Sequence, residues 1–324
     1  MHNRHRIDDA WHNRPEQRSE RDLKDEERAC DGSAQQRGPD DAGDLAKAAQ
    51  NPVANMISLP LQNNTNFGVG PGDDVQNILN IQPVVPFELT PNWNLITRTI
   101  APVIYQPELV PGTGSEFGLG DINATLFFSP AESGKLIWGL GPVFSFPTAS
   151  DDVLGTEKWS AGASLVALTI QGPWVVGGLV NNLWSFAGDD DRADVNQFLF
   201  QYFINYNMAD GWYLSSAPII TANWEADSGN QWTVPFGGGV GKIFKIGNQP
   251  LNAQVQAFYN VAKPDNGPDW TLRLQLQFLF SREEQEFDIA GGRLDADKVA
   301  RRDLAELLRD LAKNLYPEKS SRAK

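Results

Sequence analysis

Few residues in this 324-residue sequence are equipped for chemistry, and those few are scattered. All three histidines, His2, His5 and His12, fall in the first dozen residues, and the one cysteine is Cys30. Ser-His-Asp hydrolysis, most zinc enzymology and an internal disulfide are thereby removed from the rest of the chain. Glu88 and Asp121 are two carboxylates with acid–base potential, but no nucleophile–base pair accompanies them. Asp189, Asp190, Asp191 and Asp194 make a candidate cation-binding loop through carboxylate oxygens. They lack the spacing and the glycine of an EF-hand, so a solvated loop is the plainer reading. GGGVGK at 237–242 fails as a phosphate loop, because Phe236 stands where glycine is needed and Ile243 where Ser or Thr is needed; a bulge or a close strand approach is expected there. Arg98 is one of only 8 basic residues in 51–280 and sits in the middle of an apolar run.

The segments that must carry these residues are marked by charge. The chain holds 27 Lys+Arg against 41 Asp+Glu, a net charge of −14, which argues against a nucleic-acid partner. Residues 1–43 are a charged tail expected to be disordered, with no apolar run able to serve as a signal-peptide core. Residues 44–55 read as a short periplasmic lead-in. Residues 281–324 read as a polar periplasmic tail with an amphipathic helix at about 295–316, where Leu304, Leu307, Leu308, Leu311 and Leu315 recur at spacings of three and four before Pro317. No stretch of 18 apolar residues occurs, so no transmembrane helix is expected.

Between the tails, residues 56–280 alternate with period 2. Trp270, Leu272, Leu274, Leu276, Phe278 and Phe280 share one face, and Thr271, Arg273, Gln275 and Gln277 share the other. Leu251 to Val261 repeats the pattern, with Asn252, Gln254, Gln256 and Asn260 opposite the apolar set. The stretches 158–170 and 174–186 alternate less cleanly, and their faces stay unassigned. About twelve strands result: 56–63, 76–88, 93–106, 118–129, 135–147, 158–171, 174–186, 196–208, 212–224, 231–245, 250–262 and 269–280. Most are long enough to cross a bilayer, which takes about 9–11 residues per strand. Connections alternate between about a dozen residues (63–75, 106–118, 147–158, 185–197) and a few (89–93, 171–174, 208–212), the asymmetry of outer-membrane barrels. The long set, with 224–232 and 262–270 added, gathers 15 of the 19 acidic residues in 51–280. Trp93, Trp159, Trp174, Trp212, Trp224, Trp232 and Trp270 fall near strand ends, where indoles rest at headgroup level. The expected fold is an all-β, transmembrane, antiparallel up-and-down barrel of about twelve strands.

Several segments carry a resemblance. DLAKAAQNPVANMISLPLQNN (44–64), NILNIQPVVPFEL (77–89), WNLITRTIAPVIYQP (93–107), GLGDINATLFFSP (118–130) and GLGPVFSFPTASDDVLGTEKWSAG (139–162) resemble a bacterial outer-membrane β-barrel family related to the MetA pathway of phenol degradation and often labelled neuromedin U. The resemblance spans about 44–280 and implies an outer-membrane barrel with a transport role; it brings no catalytic residues. The last strand, ending at Phe280, also resembles the C-terminal assembly signal of outer-membrane proteins.

Within such a barrel Arg98 must face the lumen, since lipid exposure at midplane would cost ~2–4 kcal/mol. Asp121 and Glu88 on the flanking strands are its expected partners, either as a charged constriction or as a structural salt bridge. Arg273, Gln82, Gln254 and Gln275 complete the expected lumen set. The expectation is a narrow passive or substrate-selective channel for small polar or amphiphilic solutes, mildly cation-selective because of its acidic rim. The alternative is a structural or surface-interaction barrel with a closed lumen and acidic extracellular loops. Neither needs catalysis, a cofactor or a metal. The expected partners are outer-membrane lipid and lipopolysaccharide, the barrel-assembly machinery and a small-molecule solute.

Overall fold

The computed structural model describes residues 42–280, apart from 110, 111, 113, 133 and 248. The amphipathic helix expected at 295–316 and the tail over 1–41 lie outside the described residues. One antiparallel sheet contains β1 (Ile57–Val69), β2 (Asp74–Ile81), β3 (Val84–Thr90), β4 (Trp93–Gln106), β5 (Glu116–Leu119), β6 (Ile122–Pro130), β7 (Ile137–Phe146) and β8 (Lys158–Gln171). It continues through β9 (Trp174–Gly188), β10 (Asn196–Asn207), β11 (Trp212–Ser216), β12 (Ile219–Asn223), β13 (Trp232–Ile246), β14 (Gln249–Ala262) and β15 (Trp270–Phe280). Three pairs of segments, β2 with β3, β5 with β6 and β11 with β12, are each one spanning strand with a break. Two of the breaks fall at Pro83 and Pro218, residues that have no N–H to give to a ladder. Twelve spanning strands remain, and β15 pairs with β1 from Ile57↔Phe280 to Phe67↔Trp270, which closes the barrel. Closure leaves no edge strand exposed to lipid.

One expected loop is strand instead. Over 63–75 the chain stays in β1 to Val69 and turns at 70–73, where Gly70 takes φ +74°. NNTN looks like turn chemistry, but its amides bond across the ladder: Asn63 donates to Asn77 at 2.8 Å, and Asn66 donates to Gln76 at 2.7 Å. The remaining long connections share one rim and the short turns share the other.

The outer wall is apolar between two aromatic girdles. Trp93, Trp174 and Trp212 mark the turn rim; Trp159, Trp224, Trp232 and Trp270 mark the loop rim, and all are exposed. Ring contacts tie the girdles together, with Phe67 stacked on Trp270 at 4.0 Å and Trp224 edge-on to Trp232 at 5.3 Å. Exposed Leu165, Val176, Ile204, Leu214, Val255 and Leu274 fill the band between them, the arrangement of a lipid-facing surface. Phe280, at the closing seam, is half-buried beside inward-turned Leu279.

The interior is divided. One side is dry, with Ile96, Phe127, Val166, Leu168, Val175, Leu179 and Phe203 packed around Val53. The other side, built from β14, β15 and β1, is polar. This division blurs the alternation of β8 and β9, where Val166, Leu168, Val175 and Leu179 turn inward on the same strands as exposed Leu165 and Val176. Helix α1 (Ala42–Ala49) sits in the turn-rim mouth, where Ala46, 1% exposed, packs with Tyr213, Ile243 and Leu279. Gln50 and Asn207 exchange amide hydrogen bonds of 2.9 and 3.1 Å and hold the segment after the helix in place.

Candidate functional site

The polar side of the lumen encloses a cavity of about 160 Å³. Alternation supplies its wall: Arg273, Gln275 and Gln277 project inward from β15, and Asn252, Gln254 and Gln256 from β14. Arg98 enters from β4 and Gln82 from the break between β2 and β3, while Gln50, Asn51 and Met56 close the side toward α1. Five residues of the expected lumen set, Arg98, Arg273, Gln82, Gln254 and Gln275, therefore meet on one cavity.

The expected ion pairs of Arg98 do not form. Arg98 pairs with Val84 on one side and Thr125 on the other, so Glu88 and Asp121 are each four residues away along their strands. At about 3.3 Å per residue that is roughly 13 Å, toward opposite rims. Arg98 instead donates through Nη2 to Gln82 Oε1 at 2.8 Å. Asp121 knots the 147–156 connection: Oδ1 accepts from the Thr148 and Ala149 N–H groups at 3.2 Å each, and Oδ2 accepts from Thr156 N at 2.7 Å and Thr156 Oγ1 at 2.8 Å. Glu88 is exposed near the turn rim, opposite Asn94.

Arg273, 6% exposed, is held by neutral groups. Nε donates to Asn64 Oδ1 at 2.9 Å, Nη1 donates to Ala217 O at 2.8 Å, and the guanidinium lies 4.9 Å from the Phe258 ring centre. The carbonyl of Ala217 belongs to the break before Pro218, so a side chain satisfies what the ladder leaves open. Around it run Tyr213 to Asn252 (2.6 Å), Asn252 to Gln277 (3.0 Å) and Gln256 Nε2 to Ser215 Oγ (2.9 Å). Gln256 Oε1 is buried with no partner. These amides read as lumen-facing in the sequence. The plug by α1 and Val53 does not, because eight residues of Ala-rich helix carry no signal of where they dock.

The acidic loop does not converge. Among the described residues no three acidic, His or Cys side chains form a group able to hold a metal. Asp194 pairs with Lys158 at 3.4 Å, Asp189 Oδ1 accepts the Asp191 N–H at 2.8 Å, and Arg192 reaches Glu157 at 3.3 Å. The Glu157 carboxyl is pushed up from its ordinary range, chiefly by a hydrogen bond with Asp152, with desolvation and the charge of Asp152 adding and Arg192 opposing. GGGVGK lies within β13, where Gly241 backs onto the Tyr213 ring; it is a close strand approach and holds no phosphate loop.

No profile of a known protein family matches the chain, and no curated protein matches it. Among solved structures, the COG4313 outer membrane channel from Pseudomonas putida F1 is similar at 17% identity and a TM-score of 0.54, over 69% of this chain and 94% of that one. The CymD monoaromatic hydrocarbon channel aligns at 10% identity and TM-score 0.41, over 74% of this chain and 91% of that one. Outer membrane phospholipase A from Escherichia coli aligns at 15% and 0.39, over 75% and 98%. At these identities the first likeness speaks to the fold alone: the chain is a closed, twelve-stranded antiparallel barrel of the outer-membrane kind.

Proposed function

We propose that the protein is a narrow outer-membrane channel for small polar or amphiphilic solutes. The observation that carries this reading is the polar cavity, set off-centre inside a wall whose outside is apolar. Eight strands are filled by side chains and 16–18 leave an open channel, so twelve strands with one side of the interior packed suit a restricted path. On this reading the long acidic connections face the outside and meet lipopolysaccharide, the short turns and α1 face the periplasm, and the chain is inserted by the barrel-assembly machinery. It works as a conduit and not as an enzyme. The P. putida F1 protein that is similar in fold is itself an outer membrane channel, which agrees with this reading.

One observation favours the closed-lumen alternative, namely α1 seated in the turn-rim mouth. Planar-bilayer recording of refolded protein separates the two. Small, reproducible steps that grow in Arg98→Ala support the channel. Silence in wild type, in Arg98→Ala and in a variant lacking residues 42–56 favours the structural barrel.

A further inference from the structure

We infer that Arg98 and Arg273 form, inside the lumen, a binding site for the carboxylate of a small organic acid. The inference names the solute class of the channel proposed above and rests on that reading for access. Its starting point is an imbalance of charge. The cavity lining has two charged side chains, both guanidiniums, and no carboxylate among the described residues. The ion pairs Lys158–Asp194, Arg192–Glu157 and Lys263–Asp269 all lie at the loop rim, and none reaches Arg98 or Arg273.

Enclosing two like charges on one cavity without a counter-charge is costly. The fold spends neutral acceptors on holding them: Gln82 on Arg98, and Asn64 with Ala217 on Arg273. Each guanidinium has five N–H donors in a planar fork, so donors remain after these bonds. A fork of this kind matches the two oxygens of a carboxylate. Gln256 adds a third element. It is 1% exposed and its amide is fixed by the bond to Ser215 Oγ, so it stiffens the wall beside the two guanidiniums.

Size and lining narrow the class further. About 160 Å³ accommodates a small acid. Val84, Leu179 and Phe203 border the same cavity, an apolar wall suited to a short hydrocarbon tail and unsuited to a phosphate dianion. The acidic rim does not reverse this preference. Its carboxylates are solvated and screened by salt, whereas the guanidiniums act inside the lumen beside an apolar wall, where a permeating ion sheds water. Anions over cations is thus the selectivity the lumen favours, in place of the cation preference that the rim alone suggests.

The test uses the full chain refolded in detergent, with butyrate as probe, butyramide as its neutral counterpart and inorganic phosphate as competitor. Saturation-transfer NMR should show binding of butyrate and not of butyramide, with the signal reduced at least about fivefold in Arg98→Gln and partly restored in Arg98→Lys. Arg273→Gln is read in the same way if Arg98→Gln does not insert, and the wild-type comparison of butyrate with butyramide needs no variant. Equal binding of the two probes, an unchanged signal in both variants, or displacement of butyrate by equimolar phosphate overturns the assignment. Reversal potentials in a potassium chloride gradient separate the two proposals. Butyrate binding without current keeps the site and removes the channel. Cation-selective current without butyrate binding keeps the channel and removes the site.

Discussion

Tyr213 and Gly241 are matched across the β11–β13 ladder: the tyrosine is 0% exposed, and its ring occupies the space that a Cβ on residue 241 would need. The hydroxyl then reaches Asn252 at 2.6 Å, so one glycine seats a residue that links the α1 contact to the cavity wall.

Gly241→Ala should therefore destabilise the barrel by about 1–3 kcal/mol, the usual range for overpacking. Urea unfolding from lipid vesicles measures it. Tyr213→Ala in the same chain should recover part of the loss, and an unshifted midpoint in Gly241→Ala would show that the ring moves aside freely.

Ala46 tests the plug. A carboxylate at this 1%-exposed position against Tyr213, Ile243 and Leu279 is a buried charge without a partner, so Ala46→Glu should expel α1 and leave the barrel intact. Bilayer conductance should rise to match the variant lacking 42–56. Conductance equal to wild type would mean that the helix does not limit the path.

Orientation follows from loop length. In a Cys30→Ser background, Asp190→Cys on the long-loop rim should react with an impermeant thiol reagent on intact cells, and Lys135→Cys on the turn rim should not. The reverse pattern would invert the barrel.

Glu157 should titrate above the ordinary carboxylate range, because its protonated form shares a hydrogen bond with Asp152. A carboxyl whose folded pKa is raised adds stability that is complete below the unfolded value and is lost as pH rises through the folded one. The 147–157 connection should accordingly loosen on going from mildly acidic to neutral pH. Carboxyl ¹³C NMR follows the group directly, and Asp152→Ala should bring its midpoint down.

The wall of this barrel was legible because water and lipid impose a period of two on it. Leu274, Leu276 and their neighbours face lipid while Arg273, Gln275 and Gln277 face inward, as alternation requires. Alternation fell silent where both environments are apolar, and Val166, Leu168 and Val175 could not be assigned a face. Polar content misled in the opposite sense at Asn63 to Asn66, where amides bonded across strands imitate a turn. Partners of Arg98 were beyond reach for a different reason. Register between strands decides them: Glu88 and Asp121 each lie four residues along their strands from the ladder partners of Arg98, and Gln82 takes their place.

The packed side of the interior uncouples bore from circumference. Because Phe203, Leu179 and Phe127 occupy cross-section that strand number alone would leave open, a related chain could widen or narrow its passage by exchanging large and small residues there while keeping all twelve strands and the whole lipid-facing wall.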